Sequence, residues 1–247
     1  MSAAFDTDDG AALRGALGLI VLATDETMEP ELSHILPEDG AALYHTRIPS
    51  APDVTPETLA QMEADLPDAA ALLPKRPYDV IGYGCTSGAT VIGPERIAAL
   101  IGAACETRAV TDPLTAIIAA CRAFDATRIG FVTPYLPSVS LAMRRALEAA
   151  GLEIANFTSF EQQSEATVAR IAEASTLAAM EAVAEGADVI FASCTNLRSF
   201  GVVAEAEART RLPVLSSNLA LGWHMARLSG TETRSGAPGR IFTKSLP

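Results

Sequence analysis

Short apolar runs alternate with longer amphipathic segments along almost the whole chain. Residues 16–23 and 128–133 are apolar and glycine-punctuated, the texture of core strands, and each opens a similar succession of segments. In the first half the pattern predicts a strand over 41–48 and a helix over 56–73 with a proline near its first turn. A strand over 80–83, a helix over 94–104 and a short strand near 109–110 follow. The second half predicts a helix over 137–150, a strand over 153–157, a helix over 164–185, a second apolar strand ending near residue 192, and a helix over 199–210. A strand over 213–215 and a helix over 218–228 complete it.

Strands that alternate with helices of this length predict an α/β protein with parallel sheets. The expected architecture is two pseudo-symmetric Rossmann-like lobes with the active site in the cleft between them. Residues 16–112 with 213–230 are expected to form the first lobe and residues 113–212 the second. A helix over 113–122, led by Thr111 and Asp112, is expected to cross between lobes, and the last helix to cross back. Residues 1–15 and 231–247 are expected to be tails, the latter being rich in Gly, Ser and Thr.

The two halves share a phrase. Asp79-Val80-Ile81-Gly82-Tyr83-Gly84-Cys85-Thr86-Ser87 is echoed by Asp188-Val189-Ile190-Phe191-Ala192-Ser193-Cys194-Thr195-Asn196. Each copy is a buried strand that delivers a thiol and a hydroxyl to the loop at its carboxyl end, where ligands bind in parallel α/β sheets. A lone cysteine in an apolar strand is ordinarily a small core residue. Two at equivalent places on the ligand-binding edge instead predict a site with one sulfur from each half. Nearby amides and helix starts would lower a thiol pKa from its usual value of about 8.5. Cys105 and Cys121 lie within helix patterns and lack the phrase.

Composition narrows the function. The 247-residue chain is 49% hydrophobic and carries a formal charge of −12, with 18 basic residues that form no patch. This argues against nucleic acid or an anionic membrane as partner and leaves room for a small anionic ligand held by backbone amides. Four cysteines without CxxC spacing suggest a reduced, cytoplasmic setting. The first ten residues lack the charged start and apolar stretch of a signal peptide, and no apolar run reaches the roughly 20 residues of a membrane helix. His34, His45 and His224 form no metal-ligand pattern, and Gly82, Gly84 and Gly88 follow no dinucleotide motif, reading instead as tight turns. No metal and no cofactor is expected.

The phrase around Cys85, the segment Val132-Thr133-Pro134-Tyr135, the triplet Cys194-Thr195-Asn196 and the run Pro213-Val214-Leu215-Ser216-Ser217-Asn218 occur in an order that resembles the aspartate/glutamate racemase superfamily. Within it the chain is most similar to the branch holding maleate cis-trans isomerase, arylmalonate decarboxylase and ectoine-utilisation protein A. The resemblance spans about residues 17–228. It implies a cofactor-independent enzyme acting at a carbon next to a carboxylate, with Cys85 and Cys194 as catalytic residues. In family racemases one thiolate takes the α-proton and the opposite thiol returns one; in the maleate isomerase a cysteine adds to the double bond; the decarboxylase keeps only the second cysteine. Tyr135 matches a family tyrosine that contacts substrate, and Thr86, Ser87, Thr195 and Asn196 offer further donors. Ser217 and Asn218 could simply cap the last helix. A homodimer is the family-level expectation.

Two positions depart from the resemblance. Asp25, in Thr24-Asp25-Glu26-Thr27, and Glu165, in Gln163-Ser164-Glu165-Ala166, stand where the isomerase has amides. An ionised acid repels a carboxylate, so either these acids face away or the substrate carries a cation. A small zwitterion such as an ectoine derivative would fit the second case, whereas a helix cap would explain Asp25 without a ligand. Glu26, Glu29 and Glu31 read as a solvated acidic loop, and His34 as a residue able to line the pocket. The leading expectation is a two-cysteine racemase or isomerase of a small carboxylate. Its alternatives are a maleate-type isomerase with Cys85 as covalent nucleophile, and a non-catalytic small-molecule binder on the same scaffold.

Overall fold

A computed structural model describes residues 2–8, 10–36 and 40–247. The first half runs β1 (Gly15–Leu22), α1 (Met28–Ser33), β2 (Ala41–Ile48), α2 (Pro56–Ala71), β3 (Val80–Gly84), α3 (Thr86–Ile92), α4 (Pro94–Ala104) and β4 (Val110–Thr111). After α5 (Pro113–Ala123) the second half runs β5 (Arg128–Tyr135), α6 (Pro137–Ala149), β6 (Glu153–Gln162), α7 (Glu165–Val168), α8 (Glu173–Ala182), β7 (Val189–Ala192), α9 (Val203–Thr210), β8 (Val214–Ser216) and α10 (Ser217–Ser229). Two four-stranded parallel sheets result, ordered β2-β1-β3-β4 and β6-β5-β7-β8. The α/β class and the two-lobed repeat expected from the strand and helix pattern are present. Among the described residues no helix is long and apolar enough to cross a membrane.

The order of strands explains where a site can form. In each sheet the chain winds outward in both directions from the central pair, β1 and β3 in one and β5 and β7 in the other. A crevice therefore opens at the carboxyl ends of those pairs. β1, β3 and β7 are buried at every position, as parallel strands covered on both faces require, whereas edge strand β6 is half-exposed. Leu19, Ile20 and Ile190 are fully buried; each contributes roughly 1.5–3 kcal/mol by leaving water.

The aspartate that opens each repeated phrase is structural. Asp79 accepts the Ala16 amide at 3.0 Å, and Asp188 accepts the amides of Thr127 and Arg128 at 2.9 and 2.8 Å. Each carboxylate thus pins the start of the neighbouring central strand. The phrase's glycines are not turns, since none has a positive φ; they are close approaches. A Cβ on Gly88 would lie 2.6 Å from the Tyr83 hydroxyl and 3.0 Å from the Cys85 sulfur. Side-chain volume there would displace the thiol.

Several boundaries differ from expectation. The strand at 213–215, assigned with the last helix to the first lobe, instead pairs with β7 in the second sheet, while α10 packs against α5, β3 and β1. Segment 213–230 is therefore divided at Ser217, with its strand in one lobe and its helix against the other. The helix expected over 164–185 is broken between α7 and α8. The Ile171 carbonyl there turns out to accept the Arg198 guanidinium at 3.0 Å, and the Glu173 carboxylate accepts the Gly201 amide at 2.8 Å. Residues 231–247 are not a free tail. Ile241 is buried, and the Lys244 carbonyl accepts the Trp223 indole N–H and Arg227 Nε, both at 2.9 Å.

Candidate active site

The loops after β1, β3 and β7 and the carboxyl end of β5 converge, and each brings at least one expected residue. Cys85 is the N-cap of α3, with an extended backbone (φ −146°) and its sulfur accepting the Gly88 N–H at 3.2 Å. Burial pushes its thiol up to about 12, opposed by the Gly88 amide and reinforced by the charges of Glu165 and Asp25. Cys194 follows β7 with φ +126°, a left-handed conformation that a non-glycine residue holds only when its surroundings force it. Its sulfur lies 3.0 Å from the Tyr135 hydroxyl and accepts the Asn196 N–H at 3.3 Å. Burial raises this thiol well above its usual range, with Glu165 adding to the effect.

Tyr135 is aimed by a bulge. The β5–β6 register slips between Thr133 and Tyr135, at Pro134, which has no N–H for the ladder. The Tyr135 hydroxyl donates to Glu165 Oε1 at 2.6 Å, and Asn196 Nδ2 donates to Glu165 Oε2 at 2.7 Å. Glu165 is only 2% exposed; burial raises its carboxyl, against the pull of these two donors. Its backbone N–H reaches the Pro52 carbonyl at 3.0 Å, and the Val54 N–H reaches the Gln163 carbonyl at 3.1 Å, so the first lobe clamps the start of α7.

A cavity of about 300 Å³, counting its open mouth, lies over this clamp. Cys85, Ser87, Tyr135 and Glu165 line it together with Asp53 and Met62; Cys194, Asp25, Thr86, Thr195 and Asn196 do not. No Lys, Arg or His is among its described lining residues. Asp25 is buried and acts as a local cap, its Oδ1 accepting the amides of Thr27 and Met28, both at 2.8 Å. Burial raises its carboxyl, and its Oδ2 has no hydrogen-bond partner. The Thr195 hydroxyl reaches the Gly84 carbonyl at 3.5 Å, and Asn196 Oδ1 accepts the Glu26 amide at 2.9 Å. Thr195 and Asn196 therefore stitch the lobes together.

Three residues have larger roles than sequence reasoning assigned them. Ser217 does not cap α10, since Ser216 does so by accepting the Leu219 amide at 3.1 Å. Its hydroxyl oxygen instead accepts both the Cys194 amide at 2.9 Å and the Thr86 hydroxyl at 2.8 Å, tying the two cysteine loops to one atom. Asn218 donates to the Thr195 carbonyl at 2.8 Å and to Glu31 at 2.7 Å. Glu31, expected in a solvated acidic loop, is buried. It also accepts the amides of Ser199 and Phe200 at 3.1 Å, and burial pushes its carboxyl up to about 7. The spacing of Met28, Glu31 and Leu32, one helix face, was the available signal. Glu26 and Glu29 are surface partners of Arg170 and Arg47. His34 packs in a tilted arrangement against Phe200, ring centroids 5.4 Å apart and outside the cavity, and buried His224 meets the Thr111 hydroxyl at 2.7 Å.

The chain as a whole has relatives. Among curated proteins, a maleate isomerase of Nocardia farcinica is 27% identical over 237 residues, covering 92% of this chain and 94% of its own. An arylmalonate decarboxylase of Bordetella bronchiseptica is 29% identical over 234 residues, covering 87% and 95%. A solved variant of the Nocardia farcinica maleate cis-trans isomerase, carrying a covalently bound succinylcysteine intermediate, superposes with a TM-score of 0.82. It is 24% identical, with 92% of this chain and 98% of that one covered. A model of the arylmalonate decarboxylase family matches residues 17–242, a span that contains both cysteine strands, the Tyr135 bulge and Ser217. Matched over nearly its whole length, the chain belongs to the arylmalonate decarboxylase family.

Proposed function

We propose that the protein is a cofactor-independent cis–trans isomerase of a small unsaturated carboxylate, with Cys85 as nucleophile and Cys194 as the proton-handling thiol. The observation that carries this reading is the position of Cys85 on the cavity wall while Cys194 lies behind it. A Cys85 thiolate that adds to the alkene forms a C–S bond and sends the π pair to the carbon beside the carboxylate. Rotation about the resulting single bond and expulsion of the thiolate restore the alkene in the other geometry. Cys194, whose sulfur lies 3.0 Å from the Tyr135 hydroxyl on the cavity wall, would lend a proton to that carbon and take it back by way of the hydroxyl. Maleate isomerases recur among the relatives, and one related structure holds a succinylcysteine, which supports the covalent route.

The Ser87 hydroxyl and the amides opening α3 are the groups placed to hold a carboxylate; the Tyr135 hydroxyl, on the same wall, already gives its proton to Glu165. In a dry site each donor aimed at developing negative charge is worth about 3 to 4 kcal/mol. Thr86, Thr195 and Asn196 would support them from behind, since their side chains are already engaged.

One observation favours a second reading for the substrate. The cavity wall carries Asp53 and Glu165 and no basic side chain, which suits a ligand with one carboxylate and one cationic end better than a dianion. On such a zwitterion, an ectoine derivative being one example, the two thiols would racemise or epimerise a carbon beside the carboxylate, with Glu165 facing the cation. A thermal-shift screen of dicarboxylates, amino acids and ectoine derivatives, followed by turnover of any hit in deuterium oxide, tests both. Cis–trans conversion of an unsaturated acid supports isomerisation. Inversion with deuterium at the α-carbon supports racemisation instead, and neither activity on any stabilising ligand overturns the enzyme reading.

A further inference from the structure

We infer that Glu165 is the proton acceptor for Cys194, working through the Tyr135 hydroxyl, a role that rests on reading Cys194 as the proton-handling thiol. The order of donors follows from the geometry. The Tyr135 hydroxyl donates its one proton to Glu165 Oε1 at 2.6 Å, so its oxygen is left to accept from the Cys194 thiol at 3.0 Å. The thiol, hydroxyl and carboxylate are thus aligned as a relay. Asn196 holds both ends. Its Nδ2 donates to Glu165 Oε2 at 2.7 Å, and its backbone N–H faces the Cys194 sulfur at 3.3 Å, where a thiolate would need a donor. The left-handed backbone at Cys194 fixes the sulfur on this line.

The transfer is balanced within the three groups. The Cys194 S–H bond breaks as its proton moves to Tyr135 Oη, while the Tyr135 proton moves to Glu165 Oε1. The products are a thiolate, an intact tyrosine and a neutral carboxylic acid. No net charge is created among side chains that are almost fully buried, since Cys194, Tyr135 and Glu165 are 2%, 6% and 2% exposed. Burial raises the affinity of both Cys194 and Glu165 for the one proton they share. The titratable groups facing them are Asp25 from the β1–α1 loop, Asp53 after β2 and Cys85 at the start of α3, all acidic. Arg170, beyond α7, is turned outward to Glu26. Cys85 has no such relay: its sulfur accepts the Gly88 amide at 3.2 Å and lies beside the Tyr83 hydroxyl, which turns to the Met62 sulfur at 3.8 Å rather than to a carboxylate.

The test is site-resolved alkylation by iodoacetamide across pH, read by peptide mass spectrometry, in the parent, Glu165→Gln and Glu165→Asn. With the relay in place, Cys194 alkylation in the parent levels off once Glu165 is ionised, because the internal transfer is then independent of pH. Removing the acceptor lowers the Cys194 rate at pH 7 by about tenfold or more and restores a steady rise with pH, while Cys85, relieved of the Glu165 charge, becomes no slower. A carboxylate that merely repelled the thiolate would give the opposite sign, a faster Cys194 in both variants. That result, an unchanged rate, or no alkylation of parent Cys194 at neutral pH would overturn the relay. Either amide variant suffices if the other fails to fold, as circular dichroism would reveal. The readout needs no substrate, so failure of the isomerase reading would show separately, as absent turnover with an intact alkylation profile.

Discussion

The two cysteine loops begin from one phrase and end in different physical states. Cys85 sits in relaxed extended backbone, opens a helix and presents its sulfur to a cavity. Cys194 sits at φ +126°, behind that cavity, with its sulfur between a tyrosine hydroxyl and an amide. Holding a non-glycine residue there costs about 1–3 kcal/mol, which its neighbours must offset. Identical side chains on equivalent strands can therefore be given separate tasks by backbone conformation and neighbouring donors. A thiol on the cavity wall suits bond formation to a ligand; a thiol held behind that wall against a tyrosine hydroxyl suits proton exchange.

Replacing each loop's distinguishing atoms should break the contrast to different degrees. Cys85→Ala is expected to lower kcat by about a thousandfold or more with little change in melting temperature, as measured by turnover and calorimetry on the same preparation. Ser217→Ala should disturb both loops together. It strands the buried Cys194 amide and the Thr86 hydroxyl, so chemical denaturation should show a loss of about 1–3 kcal/mol, accompanied by slower turnover. Were only one cysteine's alkylation rate to change in this variant, Ser217 would not be a shared anchor.

Glu31→Gln probes the support behind the second loop. The Glu31 carboxyl lies at about 7 in the fold against an ordinary 4.5. Between those values the folded chain keeps a proton that the unfolded chain has lost. Stability should therefore fall as pH rises from about 4.5 to about 7, by roughly 3–4 kcal/mol, and stay lower above that range. Denaturation curves of Glu31→Gln should lose this part of the pH dependence, and an equal slope in parent and variant would remove Glu31 from the account. The smallest effect is expected from Glu26→Gln. Its ion pair with Arg170 is exposed, and the melting temperature should not move measurably.

The central strands, their order of appearance and the two thiols were legible in the sequence because strand periodicity and the repeated phrase are local signals. The placing of Tyr135, Glu165 and Asn196 near Cys194 followed from the family resemblance together with the expectation that loops meet at carboxyl ends of strands. What the residues alone did not reveal depends on contacts between distant segments. Val214–Ser216 reads as a strand in either lobe, and only its pairing with β7 decides. Ser217 resembles any cap residue until Thr86 and the Cys194 amide are found against it. Asp25 and Glu165 are both buried acids standing where amides were expected, yet only Glu165 reaches the cavity; Asp25 spends one oxygen on two amides of its own loop. Glu31 was hidden because a charged residue reads as solvated unless its helix face is counted, and its partners Ser199, Phe200 and Asn218 lie in the other half of the chain.

The division of labour between the thiols is tested most directly by incubating the Cys194→Ser protein with maleate and with other small unsaturated carboxylates, then locating any covalent adduct by peptide mass spectrometry. The account predicts an added mass equal to the acid on the peptide containing Cys85 and on no other cysteine peptide. An adduct at Cys105 or Cys121 alone, or undiminished isomerisation by Cys85→Ala, would contradict it.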